Sequence, residues 1–271
     1  MSAFEILCVT MHQTDFSKIK EMNIHSDVLF ANQGDGTELS ELEFEGHRGR
    51  MITTTTRGVG KNRNLALLYA EGDICLLADD DVVYNDNMEE LVLKEFKAHP
   101  DADVIIFHLE STDPSRPQPN YKKSRWVRPW SRLPWPTFRV AFRLSAVKKG
   151  NIWFTTLYGG GCTFPSGEDS MWLHTAKKKG LRMYVSTQTI GQVFYETSSW
   201  FTGYDESFFY GKGAYHRCVH PHSCWFWKYY VLYRFRHFGS LPKKERMKWF
   251  TNGTVGYKRL LSYKEYVQKQ K

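Results

Sequence analysis

The sequence predicts an α/β protein with a mostly parallel sheet flanked by helices, followed by a basic, aromatic helical extension. Short apolar runs alternate with helical patterns over residues 1–110, as in chains that build parallel sheets. Hydrophobic residues make up 41% of the 271 residues and charged residues 24%, which is ordinary for a globular protein. One apolar run, 74–78, ends in three consecutive aspartates. Open α/β sheets bind ligands at the carboxyl ends of their strands, so this run also predicts where a site lies.

The first 110 residues supply most of the predicted sheet. The helix over 87–99 is predicted to be amphipathic, with apolar Met88, Leu91, Val92 and Phe96, and its Asn87-x-x-Glu90 start predicts a capping box. A turn is predicted at Asn32-Gln33-Gly34-Asp35-Gly36. The predicted strands are 4–11, 27–32, 51–56, 74–78 and 103–109, and the predicted helices are 62–70 and 87–99.

The alternation of strands and helices stops near Glu110. Residues 111–137 are rich in Pro, Arg and Trp, and a loop of this length is usually functional or disordered. Its tryptophans argue against disorder. Beyond it, the patterns predict an antiparallel strand over 138–144, a helix over 166–179 and late strands over 182–186 and 192–195.

Charge is distributed unevenly along the chain. The formal net charge is +8, yet 14 of the 37 Lys and Arg residues and only 4 of the 29 acidic residues follow position 200. The basic character therefore belongs to the C-terminal quarter, and residues 1–200 are slightly acidic.

The sequence favours a cytoplasmic protein. No apolar stretch approaches the roughly 20 residues that span a bilayer, and the first residues do not resemble a signal peptide. The five cysteines are scattered, and Cys8 and Cys75 lie within predicted strands, which fits free thiols in a reducing compartment. A zinc cluster is disfavoured because no standard ligand spacing occurs among Cys218, Cys224, His216, His220 and His222.

The acidic run Asp79-Asp80-Asp81 predicts a metal–phosphate site. Three adjacent carboxylates repel one another unless a cation compensates them. Hard oxygen ligands suit Mg²⁺ or Mn²⁺, which are typically shared with substrate phosphates. The alternative is a solvated acidic loop, and the apolar run 74–78 that leads into the aspartates argues against it.

Together these motifs resemble the family 2 glycosyltransferases of the GT-A fold, of the bacterial capsular or exopolysaccharide type. The resemblance covers roughly residues 4–200 and rests on the order of the motifs. That order is a first strand, a second strand with a polar turn, Gly60-Lys61-Asn62-Arg63-Asn64, Gly72-Asp73, Ala78-Asp79-Asp80-Asp81, Gly159-Gly160-Gly161 and Ser166-Gly167-Glu168-Asp169.

The resemblance implies that Asp79 and Asp81 hold a divalent cation, Mn²⁺ or Mg²⁺, on the diphosphate of a nucleotide-sugar. It also implies that Asp169, next to Glu168, is the catalytic base. A carboxylate suits this role because the acceptor hydroxyl must lose a proton as it attacks the anomeric carbon. The alternative is that Ser166-x-x-Asp169 is a capping box at the helix start.

Further donor contacts are implied along the chain. Basic residues are disfavoured at a helix start, so Lys61 and Arg63 favour an anionic ligand there, although an ordinary basic first turn is the alternative. The glycines at 159–161 allow close backbone approach to the donor sugar, or alternatively form a flexible turn. Lys212, His216 and His220 are candidates for a late-loop contact to the metal or diphosphate. The implied donor-binding set is Thr10, Gln33, Asp35, Lys61, Arg63, Asn64, Asp79, Asp80, Gly160, Gly161 and Lys212, and the implied metal ligands are Asp79, Asp81 and His216.

The chain departs from the family pattern in two places. Family members often carry Pro and Asn after the first strand, where this chain has Thr10-Met11-His12-Gln13. They usually have Asp directly after the Asn of the second-strand turn, where this chain has Gln33, with Asp35 two residues on as the substitute.

The resemblance implies an inverting transfer of a sugar from a nucleotide-diphosphate donor, with UDP as the default. The acceptor is expected to be a hydroxyl of a glycan or of a polyprenyl-diphosphate-linked glycan in surface polysaccharide synthesis. Residues 1–200 form the catalytic domain, with a nucleotide-binding half at 1–110 and an acceptor half at 111–200, and residues 201–271 form the extension. Trp126, Trp130 and Trp135 are candidates for an aromatic lid over the acceptor.

The extension contains eight aromatic residues within 225–238, interleaved with Lys228, Arg234 and Arg236. Basic and aromatic residues together suit an anionic membrane surface and predict peripheral attachment to the inner face of the membrane. The alternative is that these aromatics pack on the catalytic domain.

Two other functions remain alternatives. A nucleotidyltransferase that makes sugar nucleotides would want a glycine-rich loop after the first strand, and residues 10–17 contain no glycine. A nucleic-acid-binding protein would use the basic aromatic tail, which leaves the acidic motifs without a role.

Overall fold

The computed structural model describes residues 3–114, 118–128, 131, 133, 136–194 and 203–270. The chain divides into two compact units. The first comprises residues 1–155 and 168–197, and the second comprises residues 156–167 and 198–271. The two are described separately below.

The first unit is built on one mixed sheet with ten strands in its described part. Its strands are β1 (Phe4–Met11), β2 (Val28–Gln33), β3 (Glu38–Phe44), β4 (His47–Thr54), β5 (Ile74–Asp79), β6 (Val82–Tyr84), β7 (Val104–Ser111), β8 (Arg125–Trp126), β9 (Val140–Arg143) and β10 (Met183–Val193). The order across the sheet is β3-β4-β2-β1-β5-β9-β7-β10-β6, and β8 pairs with β10. The pairs β4–β2, β2–β1, β1–β5 and β7–β10 are parallel.

Helices flank this sheet, as the alternating pattern predicts. They are α1 (Ser17–Glu21), α2 (Val59–Tyr69), α3 (Met88–Ala98), α4 (Leu144–Lys149) and α5 (Glu168–Lys178), with a 3₁₀ turn at Thr137–Arg139. Successive residues of a strand face opposite sides of the sheet, so the apolar strands supply two cores. Leu7 and Val9 belong to one core, and Ile6 and Cys8 belong to the other. The predicted mostly parallel α/β fold is confirmed.

Several details differ from the sequence prediction, which lacked the short elements α1, β6, β8 and α4. The strand predicted at 51–56 is β4, which begins at His47 and forms an antiparallel hairpin with the unpredicted β3. Glu45 and Gly46 make the tight turn of this hairpin with positive φ angles of 49° and 83°. The strands predicted at 182–186 and 192–195 are one strand, β10, whose pairing with β7 shifts register at two points (Tyr195 lies outside the described residues). The capping box predicted at Asn87 is wrong, because its side chain makes no capping hydrogen bond.

The second unit is helical in its described part. Its helices are α6 (Glu206–Val219), α7 (Cys224–Arg234), α8 (Lys243–Arg259) and α9 (Tyr263–Gln268). Helices α6 and α8 pack so closely that a Cβ atom at Gly213 would collide with the carbonyl oxygen of Phe250. A Cβ atom at Gly253 would likewise collide with the carbonyl oxygen of Tyr210. Glycine is therefore required at both positions. A helix long and apolar enough to cross a bilayer does not occur in the described part of either unit.

Candidate active site

The acidic run lies at the carboxyl end of β5, as the sequence predicts. Val9 of β1 is in register with Asp79, so the ends of the two central parallel strands are adjacent. Thr10, the next residue of β1, donates a hydrogen bond from Oγ1 to Oδ2 of Asp80 at 2.6 Å. Lys18 donates from Nζ to the backbone carbonyl of Asp80 at 3.4 Å. These contacts fix the turn that follows β5.

Arg63 organises the carboxylates around this turn. It lies on α2, only 3% of its side chain is exposed, and it donates from Nη2 to Oδ1 of Asp79 at 2.8 Å. Its Nη1 donates to Oδ1 of Asp169 at 2.5 Å and lies 3.8 Å from Oε1 of Glu168. One buried guanidinium therefore joins the metal motif at the end of β5 to the Glu-Asp pair at the start of α5.

The cluster carries three carboxylates for one cation. Burial opposes ionisation of Arg63, but Asp169, Asp79 and Glu168 outweigh it and hold the pKa of Arg63 above its ordinary value. Burial raises the pKa of Asp79 despite Arg63. Burial, followed by the adjacent Asp169 carboxylate, raises the pKa of Glu168 to about 7. Burial and the adjacent carboxylate therefore favour a proton on Glu168 near neutral pH.

Asp169 has the geometry of a positioned base. Its Oδ1 accepts hydrogen bonds from Arg63 and from Oγ1 of Thr137, the latter at 2.6 Å. Thr137 is fully buried, so this contact is rigid. Oδ2 of Asp169 accepts no hydrogen bond from the described residues, and about a quarter of the side chain is exposed. Helix α5 begins at Glu168, so Ser166 is not the residue directly before the helix, as the capping box requires. The role of Asp169 as the base stays a prediction.

Asp81 is suited to hold a cation. Its Oδ1 is buried and has no hydrogen-bond partner, which is costly for a carboxylate. Burial, followed by repulsion from Asp79 and Asp80, raises the pKa of Asp81 to about 7. A divalent cation would satisfy this oxygen and offset the repulsion. In the described residues, no three His, Cys, Asp or Glu side chains are grouped to hold a metal ion by themselves. A cation at Asp81 would therefore need ligands from the substrate or water, as Mg²⁺ commonly does.

Amide side chains attach α2 to the sheet. Oε1 of Gln33 accepts a hydrogen bond from the backbone N–H of Gly58, directly before α2, at 2.8 Å. Asn62 is fully buried and donates to the carbonyls of Ala31 at 2.6 Å and Thr10 at 3.3 Å. Asn64 donates to and accepts from the backbone of Phe154, at 2.9 and 2.7 Å. Gln33 and Asn64, both predicted to bind the donor, thus position α2 and with it Arg63.

Two predicted donor-binding residues are exposed. Lys61 forms no hydrogen bond or ion pair with any residue that the structure describes, which leaves its ammonium group available to a phosphate. Asp35 is 90% exposed and pairs with Arg57 at 3.1 Å. Arg57 also donates to the carbonyl of Gly34, so the polar turn after β2 is fixed through this arginine.

The late-loop candidates belong to the second unit. Gly159 and Gly161 have φ angles of 105° and 73°, and Gly160 lies between them. The turn is closed by hydrogen bonds from the N–H of Gly159 to the carbonyl of Phe164 and from the N–H of Cys162 to the carbonyl of Gly159. His216 is buried and stacks on Trp227 with a centroid separation of 5.0 Å. Burial, followed by Lys212 and His220, lowers the pKa of His216 to about 3, so its imidazole is neutral. The donor role of Gly160, Gly161 and Lys212 and the metal role of His216 stay predictions.

The structure contradicts one expectation and adds residues that the sequence did not reveal. Trp126 pairs with Tyr184 near the amino end of β10, whereas Asp79 lies at the carboxyl end of β5, so Trp126 does not cover this site. Trp130 and Trp135 lie outside the described residues. Thr137 and Lys18 contact the site but belong to no motif, and only their places in the fold reveal them.

Comparisons with known proteins show what the chain and its fold are similar to. Residues 27–158 match the family model described as Glycosyl transferase family 2. No curated protein sequence matches the chain. The fold is similar to S. aureus TarS 1–349 in complex with UDP, with a TM-score of 0.59, 14% identity and coverage of 97% of this chain and 93% of that chain. It is also similar to the S. aureus TarS 1–349 complex with UDP-GlcNAc, with a TM-score of 0.58, 13% identity and the same coverage. Against the longer S. aureus TarS chain the TM-score is 0.55 at 14% identity, and the match covers 97% of this chain but 44% of that one. Residues 27–158, just under half of the chain, are therefore similar to a family 2 glycosyltransferase domain, and the fold is the GT-A fold of TarS.

Proposed function

We propose that the protein transfers a sugar from a UDP-sugar to a hydroxyl group of a glycan acceptor, with inversion, and that it depends on a divalent cation. One observation carries the proposal. A single buried guanidinium, Arg63, joins Asp79 of the acidic motif to Asp169, whose Oδ2 is open. The UDP and UDP-GlcNAc complexes of TarS, a protein of the same fold, support uridine as the base.

Asp169 acts as the general base in this proposal. Hydrogen bonds from Arg63 and Thr137 to Oδ1 orient the carboxylate, so that Oδ2 takes the proton of the acceptor hydroxyl. The acceptor oxygen that loses this proton attacks the anomeric carbon from the face opposite the departing nucleoside diphosphate, which inverts the configuration. Because its pKa is about 7, Glu168 remains partly protonated and limits the negative charge beside the base.

The cation fits the acidic motif. Asp81 would hold it through the unpartnered Oδ1, and Asp79 would contribute its oxygen that does not face Arg63. When bound, Mn²⁺ or Mg²⁺ stabilises the charge that develops on the leaving diphosphate. Lys61, in the first turn of α2, would contact the same phosphates in this proposal.

Calorimetric titration with UDP, with and without Mn²⁺, tests the donor site. The wild type should bind UDP more tightly with Mn²⁺. Asp81→Asn should lose this enhancement because it removes the negative charge of the carboxylate whose Oδ1 has no hydrogen-bond partner. Asp86→Asn is the matched control, since Asp86 is exposed and lies five residues further on. The control should bind as the wild type does.

The other outcomes are equally informative. Enhancement that persists in Asp81→Asn would exclude Asp81 as a metal ligand. If UDP does not bind but GDP, CMP or dTDP does, the proposed donor nucleotide is wrong and the proposed transfer reaction is retained. Failure of all four nucleotides would contradict the proposed donor site.

The acceptor is proposed to be a glycan carried on a polyprenyl diphosphate in surface polysaccharide synthesis, at the inner face of the membrane. The exposed side of α7 supports this location. Trp225, Tyr229 and Tyr233 recur every four residues and are 68%, 55% and 65% exposed, next to Phe226 at 54%. Such a stripe on a basic helix suits the headgroup region of an anionic bilayer. Co-sedimentation with anionic vesicles should fall in Trp225→Ser/Tyr229→Ser, whereas the control Leu39→Ser, an exposed apolar residue of β3, should leave it unchanged.

A further inference from the structure

The second unit contains a cavity that the proposed donor site does not use. Its volume is about 360 Å³, which is enough for a small phosphorylated group. The cavity lies between the end of α7 and the start of α8. Its lining residues are Tyr229, Leu232, Tyr233, Arg236, Leu241, Lys243 and Arg246. Three of these seven residues are cations and none is acidic.

Arg246 is the unusual residue of this lining. It is 7% exposed, and its guanidinium donates to the backbone carbonyls of Leu241, Phe235 and Gly239 at 2.5, 2.6 and 3.1 Å. These bonds use three of the five N–H groups of the guanidinium and do not neutralise its charge. No carboxylate in the described part of the chain forms an ion pair with it. A buried charge without a countercharge is costly, and a bound anion would remove that cost.

Two further cations face the same cavity. Arg236 and Lys243 are exposed and form no ion pair with any carboxylate that the structure describes. The acids of this unit are engaged elsewhere: Asp205 with the backbone N–H of Phe208, Glu206 with Tyr263, Glu245 with Lys248, and Glu265 with Ser262. Lys243 is also the first residue of α8, where the helix dipole disfavours a cation and favours an anion.

Aromatic rings complete the walls. The guanidinium of Arg236 lies 4.1 Å from the ring centroid of Tyr233, and Tyr229 lies one turn earlier on α7. Cations beside exposed tyrosine rings suit a ligand with a charged group and a less polar body. We propose that this cavity is a binding site for a phosphate ester, separate from the donor site, with Arg236, Lys243 and Arg246 binding the phosphate and Tyr229 and Tyr233 contacting the group that it esterifies.

A phosphate ester reaches such a site either as a soluble molecule or as a phospholipid headgroup. The test therefore uses two probes on the full-length protein. Calorimetric titration with sn-glycerol 3-phosphate measures the soluble form, and flotation with equimolar phosphatidylglycerol–phosphatidylcholine vesicles, against pure phosphatidylcholine, measures the lipid form. The wild type should bind at least one probe, and the probe that binds identifies the source.

The test variant is Arg236→Gln/Lys243→Gln, which removes two exposed cations without disturbing buried Arg246. The matched control is Lys244→Gln/Lys258→Gln, which removes the same charge from exposed positions outside the cavity. Removing a cation near an anionic group costs about fivefold in affinity, so the test variant should weaken binding more than tenfold and the control less than twofold. Titration of the same samples with UDP should be unchanged in both variants, which keeps this result separate from the donor-site proposal.

Three outcomes would overturn the site. Equal weakening in the two variants would mean that only net charge matters. Binding by the wild type that neither variant weakens would place the phosphate elsewhere. Binding of neither probe by the wild type would exclude a phosphate-ester site.

Discussion

Two buried arginines bridge carboxylates at opposite ends of the same sheet. The two groups of carboxylates differ in whether all of their oxygens have hydrogen-bond partners. Arg50 of β4 binds Glu5 of β1 at 2.5 Å and Glu71 at 2.6 Å, at the amino ends of the central strands. Arg63 binds Asp79 and Asp169 at the carboxyl ends. Both arginines are less than a tenth exposed.

The Arg50 network is complete. Oε2 of Glu5 accepts hydrogen bonds from the backbone N–H groups of Glu71 and Gly72, and Arg50 also donates to the carbonyl of Tyr69. At the Arg63 end, Oδ2 of Asp169 is open and Oδ1 of Asp81 is buried without a partner. A complete buried network stabilises a fold, whereas open oxygens beside raised pKa values mark a site that acts on a ligand.

The largest expected effect comes from breaking the open network at Asp169. Asp169→Asn keeps the shape of the side chain but removes the basic oxygen, so the transfer rate should fall by about 10²–10⁴-fold. Rates of sugar transfer, measured with the donor that the nucleotide titrations select, check this. Asp101→Asn is the control, because Asp101 is exposed and paired with Arg182. A variant with near wild-type rates would assign proton removal to another group.

Breaking the complete network at Arg50 should instead lower the stability of the fold. Arg50→Met leaves Glu5 buried with no countercharge, which should lower the free energy of unfolding by about 3–5 kcal/mol. Arg48→Met on the same strand is the control, since Arg48 is 46% exposed and its loss should cost at most about 1 kcal/mol. Urea unfolding measures both variants. The transfer rate per folded molecule should stay at the wild-type value in Arg50→Met, and a selective loss of rate would contradict the distinction between the two networks.

The sequence predicts the parts of this structure that are local. Strands β1 and β5 and the acidic end of β5 are apolar runs with clear boundaries, so the place of Asp79 follows from the pattern alone. Strand β3 is missed because its sequence, Glu-Leu-Ser-Glu-Leu-Glu-Phe, is mostly exposed at the sheet edge and offers no apolar run. The Glu45-Gly46 pair between β3 and β4 was the available signal for a hairpin.

The site itself depends on contacts that no local pattern encodes. Arg63 and Asp169 are 106 positions apart, and their ion pair exists because α2 and α5 meet at one end of the sheet. The motifs predict a function for both residues but do not reveal that they touch. Thr137 has no motif, and only the fold places it beside Asp169.

The pH dependence of stability tests the comparison of the two networks, through the raised pKa of Glu168. Burial, followed by Asp169, raises its pKa in the folded protein from 4.5 to about 7. Between these pH values the folded state holds a proton that the unfolded state has released, so the free energy of unfolding falls as pH rises through this window. Glu168→Gln removes this dependence. The variant should therefore gain stability relative to the wild type between pH 5 and pH 8, by up to about 3 kcal/mol.

Urea unfolding at these two pH values, with a chelator present to exclude bound metal, measures the difference. Glu90→Gln, an exposed position on α3, is the control and should show the wild-type pH dependence. If Glu168→Gln is less stable at pH 8 than at pH 5, relative to the wild type, Glu168 is ionised in the folded protein. The cluster would then hold no proton at this residue.

The smallest effect on the fold is expected at Asp35, which belongs to neither network. Its ion pair with Arg57 is exposed, so Asp35→Asn should change the free energy of unfolding by less than about 1 kcal/mol. If Asp35 substitutes for the aspartate that the family places directly after the second-strand Asn, the same variant should weaken UDP binding about tenfold, because a carboxylate that bonds a ribose hydroxyl loses a charge-assisted hydrogen bond. Thermal unfolding and UDP titration of one preparation separate the two effects. An unchanged UDP affinity would leave Asp35 as a surface residue. The contact to the nucleoside would then have to come from a more buried side chain, because the Arg63 end of the sheet is distinguished by buried groups that lack some of their hydrogen-bond partners.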